Sequence, residues 1–131
     1  MEQHINKNII INILEIQNNN PDIYVGGSLS LILQGVLPYR EIHDIDLIHN
    51  KKIQIHDVFN INERKNVRNK IYYNGIEHEL FVNKEAKYVN FDYNGWIIKL
   101  SPIDETIEWK KIFYNRYKKE KHLIDLKNII H

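Results

Sequence analysis

Two Asn-Gly dipeptides, Asn74-Gly75 and Asn94-Gly95, constrain this chain more than any other local feature. The first lies between the β-like runs Lys70–Tyr73 and Ile76–Val82, the second between Tyr88–Tyr93 and Trp96–Leu100. A two-residue hairpin turn needs positive φ at both central positions, which Asn and Gly tolerate best. The second half of the chain therefore predicts two antiparallel hairpins.

The flanking segments have helical periodicity. Ile5, Ile9, Ile13 and Ile16 recur at spacings of four and three, which predicts an amphipathic helix from about Ile5 to Gln17, stopped by Asn18-Asn19-Asn20-Pro21. A short β-like run, Asp22 to Val25, ends at Gly26-Gly27; Ser28 is placed to cap a second helix through Leu29, Leu31, Ile32 and Leu33. Asp44-Ile45-Asp46-Leu47-Ile48 alternates polar and apolar residues, as a half-buried strand does. Around Ile53, Ile55 and Val58-Phe59 the pattern fits a strand or a short helix equally. Ser101-Pro102-Ile103-Asp104 has the hydroxyl, proline and acid of a helix start, and the tail to His131 predicts one or two helices with a break near Lys118 to Glu120. The expected fold is α/β (α+β): one domain over residues 1–131 with a small mixed sheet, helices packed on one face, and a helical C-terminal tail from about residue 102.

Composition narrows the function. Across 131 residues, 18 Lys and Arg against 17 Asp and Glu give a net charge of +1, too balanced to wrap a duplex by charge alone. With no cysteine there is no disulfide framework, Cys-type zinc site or thiol nucleophile. No apolar run is long enough for a membrane span, and Met1-Glu2-Gln3-His4 lacks the start of a signal peptide, so a cytoplasmic protein with no membrane partner is expected.

The chemistry centres on Gly26-Gly27-Ser28 and Asp44-Ile45-Asp46. Strand residues two apart face the same side, about 6.6 Å apart at Cα, so Asp44 and Asp46 aim at one point. Glu79, or Glu77 on the same side of its strand, completes a carboxylate triad if the two strands are neighbours. At about 4 Å and an effective dielectric near 20, each pair of carboxylates repels by on the order of 4 kcal/mol. A hard cation between them relieves that repulsion, and Mg²⁺ takes a few carboxylates with water and phosphate oxygens. A glycine turn entering a helix brings backbone N–H groups close to an anion, and the Ser28 hydroxyl adds a donor. Metal on one side and a phosphate cradle on the other describe a nucleoside triphosphate site.

Gly26-Gly27-Ser28, a helix, Arg40 and Asp44-Ile45-Asp46-Leu47 together resemble the signature of the DNA polymerase beta-like nucleotidyltransferase superfamily, in the style of its small antibiotic nucleotidyltransferases and abortive-infection toxins. Glu79-Leu80-Phe81-Val82 stands where that family carries its third acid, usually Asp. Lys111, then Lys121-His122 and Asp125, resemble its C-terminal pattern of a lysine followed by a basic-polar-x-x-Asp motif. The resemblance runs from Tyr24 to Ile129 and implies the nucleotidyltransferase fold. It implies that Gly26, Gly27 and Ser28 hold phosphates, that Asp44, Asp46 and Glu79 are catalytic and bind Mg²⁺ (or Mn²⁺), and that Lys111 neutralises the triphosphate. Glu79 is also the implied base for the acceptor hydroxyl. The implied reaction moves a nucleoside monophosphate from an NTP to a hydroxyl on an RNA end such as tRNA, a protein or an antibiotic, with release of pyrophosphate. Two departures stand out: the third acid is one methylene longer than Asp, and Ile42 replaces a hydroxyl residue common two positions before the first Asp.

Other readings are weaker. His43-Asp44 and His56-Asp57 are doublets of the metal-phosphohydrolase kind, but that chemistry uses a helical scaffold and His43-Asp44 opens a strand. No Gly-Lys-Ser/Thr follows the glycines, which removes a P-loop. The helix Trp109 to Lys119 has the composition of an RNA-contacting surface, or equally of a core stripe with a solvated basic face. The alternative function is a catalytically inactive module of the same fold, such as half of a toxin–antitoxin pair.

Overall fold

The computed structural model describes residues 5–59, 69–85 and 87–129. Residues 1–4, read above for a leader pattern, residues 60–68 of the ambiguous stretch, and 130–131 lie outside this set. The elements in chain order are α1 (Lys7–Asn19), β1 (Tyr24–Val25), α2 (Gly27–Leu33), β2 (Asp44–His49), α3 (Ile55–Val58), β3 (Lys70–Tyr73), β4 (Ile76–Val82), β5 (Val89–Tyr93), β6 (Trp96–Leu100), α4 (Ile103–Tyr117) and α5 (Glu120–Lys127).

Both hairpins form as the Asn-Gly pairs dictate. Asn74 and Gly75 have φ of 53° and 76°, Asn94 and Gly95 of 51° and 92°. The six strands make one mixed sheet in the order β3-β4-β2-β1-β6-β5. β2 lies parallel to β4 and β1 parallel to β6, while β1–β2 and both hairpins are antiparallel.

Strand alternation sorts the two faces of the sheet. Ile45, Leu47, Ile76, Leu80, Ile98 and Leu100 are buried in one cluster with Ile9, Ile13 and Ile16 of α1 and Ile55 and Val58 of α3. Each such side chain contributes about 1.5–3 kcal/mol relative to exposure. His78 is wholly buried within this layer, with its ring 4.9 Å from that of Phe59. Its Nδ1 lies 2.9 Å from the Ile76 carbonyl, which places the proton of a neutral ring on that nitrogen, and burial lowers its pKa. The Gln17 side chain takes both backbone groups of Lys99, donating to its carbonyl at 2.9 Å and accepting from its N–H at 3.1 Å, which ties α1 to β6.

On the other face, Asp44, Asp46, Glu77, Glu79 and Phe81 look toward the C-terminal helices, and Phe81 meets Phe113 of α4 at 5.8 Å. The tail breaks where expected: Lys118 adopts a left-handed φ of 54° between α4 and α5. Two caps differ from expectation. Gly26, not Ser28, is the cap residue of α2, because the Ser28 hydroxyl is engaged elsewhere. Pro102 rather than Ser101 caps α4, and the buried Ser101 hydroxyl has no hydrogen-bond partner.

Candidate active site

The parallel register of β2 and β4 places Asp44 beside Glu77 and Asp46 beside Glu79, all on the face away from α1. Neighbouring strands lie about 4.8 Å apart, so four carboxylates share a small area. β3 extends the set, with Lys70 opposite Glu79 and Tyr72 opposite Glu77. The Lys70 ammonium is 3.5 Å from Glu77 and 3.8 Å from Glu79, and the Tyr72 hydroxyl donates to Glu77 at 3.1 Å. Glu79 thus shares with Glu77 a cation on the edge strand. Among the described residues, no group of three or more His, Asp or Glu side chains is arranged to hold a metal ion.

Asp46 carries the electrostatic load of the cluster. Burial, then the charges of Asp44 and Glu79, push its carboxyl up to about 6, although Lys110 and Lys121 pull the other way. A divalent cation beside it would offset the repulsion from Asp44 and Glu79, the part of the shift that comes from like charge. Asp44 and Asp46, with Glu79 one strand away, are hard oxygen donors of the kind Mg²⁺ or Mn²⁺ takes.

The glycine turn is pressed against the same residue. The Gly26 N–H donates to the Asp46 carbonyl at 2.9 Å, and a Cβ there would come within 2.6 Å of Ile48 Cδ1. Gly27 has φ +63°, and a Cβ on it would overlap the Asp46 carboxylate. Two glycines in succession are what let the start of α2 approach the acids.

The cationic side of the cleft comes from α4, α5 and the loop before β2. The Asp125 carboxylate of α5 accepts from Ser28 at 2.6 Å, from Lys110 at 2.9 Å, and from Arg40 at 2.8 and 3.1 Å. Ser28 Oγ in turn accepts from Arg40 at 2.6 Å and from Lys110 at 2.9 Å. Lys110 is 4% exposed and Asp125 3%, so this is a buried network, not a surface ion pair. Burial alone would raise the Asp125 pKa, but the bonds from Ser28 and Lys110 and the charges of Lys110 and Arg40 outweigh it and hold the carboxyl below its usual range.

Of the residues singled out from sequence, the structure brings Gly26, Ser28, Asp44, Asp46, Lys121, His122 and Asp125 to one cleft, with Gly27 on its Asp46 side. Glu79 and Lys111 are not among them. Glu79 lies one strand over from Asp46, beside Lys70. The Lys111 side chain is exposed and lies 3.4 Å from Glu108 on its own helix, whereas its neighbour Lys110 reaches the cleft. Successive helical residues point about 100° apart, so only one of two adjacent lysines can face the sheet. The signal was present in the sequence: Lys110 lies in register with Ile103, Thr106, Ile107 and Phe113 on the packed stripe of α4. The aromatic-basic composition of that helix divides in the same way. Trp109 and Phe113 stack at 5.4 Å beside the cleft, while Lys111, Arg116, Lys118 and Lys119 are solvated.

No protein-family model and no curated protein matches the chain. A solved structure does: a Thermotoga maritima protein whose nucleotidyltransferase assignment is itself a proposal, at 16% identity, with a TM-score of 0.62 and 97% of each chain covered. The chain has a nucleotidyltransferase-like fold. The Gly-Gly-Ser turn and the two aspartates therefore lie on a scaffold of that type, with the C-terminal helices beside them. Among the described residues, no helix of the nucleotidyltransferase-like domain is long and apolar enough to cross a membrane.

Proposed function

We propose that this protein is a divalent-metal-dependent nucleotidyltransferase that transfers a nucleoside monophosphate from an NTP to an acceptor hydroxyl. The observation that carries the reading is the convergence of Asp44 and Asp46 with the Gly26-Gly27-Ser28 turn and the Arg40–Lys110 cation pair in one cleft. Asp44 and Asp46 would hold Mg²⁺ or Mn²⁺, with Glu79 on the adjacent strand as third acid. The bound metal would supply charge neutralisation for the triphosphate and lower the pKa of the attacking hydroxyl.

The rest falls to the chain itself. Gly27 and Ser28 present the start of α2 to the phosphates, and Lys110, rather than Lys111, is the lysine placed to neutralise the departing pyrophosphate. The acceptor oxygen bonds to the α-phosphorus as the α–β bridging bond breaks. The acceptor proton passes to Glu79, and the leaving electron pair is stabilised on pyrophosphate beside Lys110 and Arg40. A hydroxyl of an RNA end, a protein side chain or an antibiotic meets these requirements equally.

The Lys70–Glu79 pair favours a second reading, in which the fold serves as a non-catalytic binding partner, for example within a toxin–antitoxin pair. The test is incubation with each α-labelled NTP, Mg²⁺ and separate pools of tRNA, protein and aminoglycoside. Label entering one pool, and its loss in a folded Asp44→Asn variant, supports transfer and names the acceptor. No label in any pool, with equal nucleotide binding by wild type and Asp44→Asn, supports the second reading.

A further inference from the structure

The positive charge of the chain is gathered at one corner. Residues 111–121 cover the C-terminal half of α4, the turn and the start of α5. They hold five Lys and Arg and the single acid Glu120, which leaves 13 of the 18 Lys and Arg against 16 of the 17 acids elsewhere. A run of net +4 thus stands on a remainder of −3. All five cations are exposed, and Arg116, Lys118, Lys119 and Lys121 have no ion pair among the described residues. The next acid in α5, Asp125, is taken by Arg40 and Lys110. Lys118, left-handed at φ 54°, turns the chain back so that Lys121 lines the cleft with Asp46 and Ser28. Like charges crowded in this way repel, and a bound polyanion relieves the repulsion.

Aromatic rings lie among the cations. Trp109, Phe113 and Tyr117 follow one another at i, i+4 along α4, and their rings stack at 26° and 21°, with centroids 5.4 and 6.1 Å apart. Tyr117 ends this ladder and is 55% exposed, with the Arg116 guanidinium 6.0 Å from its ring centre. Charge alone fits any polyanion. An exposed ring at the end of a stack, flanked by cations, fits one whose anionic backbone carries unpaired flat bases. We propose that the α4–α5 corner is a binding surface for a single-stranded nucleic acid. Its phosphates meet Arg116, Lys118 and Lys119, one base stacks on Tyr117, and the strand end passes over Lys121 into the cleft. The proposal rests on the nucleotidyl-transfer reading only in making that end the acceptor; the surface stands without it.

The experiment measures binding by fluorescence anisotropy, with neither NTP nor Mg²⁺ present. The probes are fluorescein-labelled oligo(U) and oligo(dT) of about 12 nucleotides and a labelled polyglutamate peptide of equal charge. At least one strand is expected to bind about fivefold or more tightly than the peptide, and the tighter strand names the sugar. Its affinity should fall about fiftyfold between roughly 50 and 200 mM salt, a log–log slope of about −3 for four phosphate contacts. Replacing Arg116, Lys118 and Lys119 together by Gln should reduce that slope by about 2, and Tyr117→Ser should abolish the preference over the peptide. Should a variant not fold, the wild-type comparison of strand with peptide decides alone. A peptide that binds as tightly as both strands assigns the corner to an acidic protein and overturns the proposal, as does the absence of salt-dependent binding. A strand that binds here yet takes no label from any NTP removes the transfer reading and leaves the surface in place; label entering a protein or antibiotic with no strand bound does the reverse.

Discussion

The Lys110 ammonium lies 2.9 Å from the Asp125 carboxylate, and both side chains are shielded from water where α4 and α5 meet the Gly-Gly-Ser turn. Asp125→Asn takes away the carboxylate bonded to buried Lys110 and is expected to cost about 3–5 kcal/mol in chemical denaturation; Lys110→Met leaves Asp125 its Arg40 pair and costs less, and the double variant costs less than the sum. Additive losses in the cycle would refute a coupled pair.

Lys111 offers the matched control. It is exposed and pairs with Glu108 on its own helix, so Lys111→Ala should change stability by no more than about 0.5 kcal/mol. Nucleotide affinity should be retained in Lys111→Ala and fall sharply in Lys110→Ala. A comparable fall in both would place the wrong lysine in the cleft.

Gly27 and Gly35 both have positive φ, at 63° and 81°, but differ in surroundings. A Cβ at Gly35 meets nothing within 4 Å, whereas at Gly27 it overlaps the Asp46 carboxylate. Gly35→Ala should cost about 1–2 kcal/mol from backbone conformation alone. Gly27→Ala should cost a further ~1–3 kcal/mol and displace Asp46. Equal thermal shifts in the two variants would show that the turn is not pressed on the acid.

Acidification tests two groups of opposite sign. The Asp46 carboxyl, raised by burial and by Asp44 and Glu79 to about 6, binds its proton more readily in the folded chain, so its contribution makes stability rise as pH falls through 6 toward 4. His122, held down to about 4 by burial and by Lys110 and Lys121, binds its proton more readily in the unfolded chain, so its contribution makes stability fall between pH 6.5 and 4. The two partly cancel. Asp46→Asn should stabilise the metal-free protein at pH 7 by about 3 kcal/mol and expose a steeper loss on acidification than wild type, read from denaturation midpoints across that range. An unchanged slope would rule out the coupling of Asp46 to its neighbours.

Local chemistry made much of this protein legible in advance. Positive φ at Asn74-Gly75 and Asn94-Gly95 fixed two hairpins, because turn geometry depends on those residues alone. Alternation along Asp44–His49 put both aspartates on one face, because the pleat has a period of two. Other features depend on groups far apart in the chain. Register between β3 and β4 gave Glu79 its lysine, the rotation of α4 chose Lys110 over Lys111, and the turn at Lys118 carried Asp125 back to Ser28, 97 residues away. The contact between Phe81 and Phe113 likewise exists only once a strand and a helix are packed together. Residue type and spacing specify which way a side chain leaves its own element; what it meets there is set by the packing of elements that sequence order keeps apart.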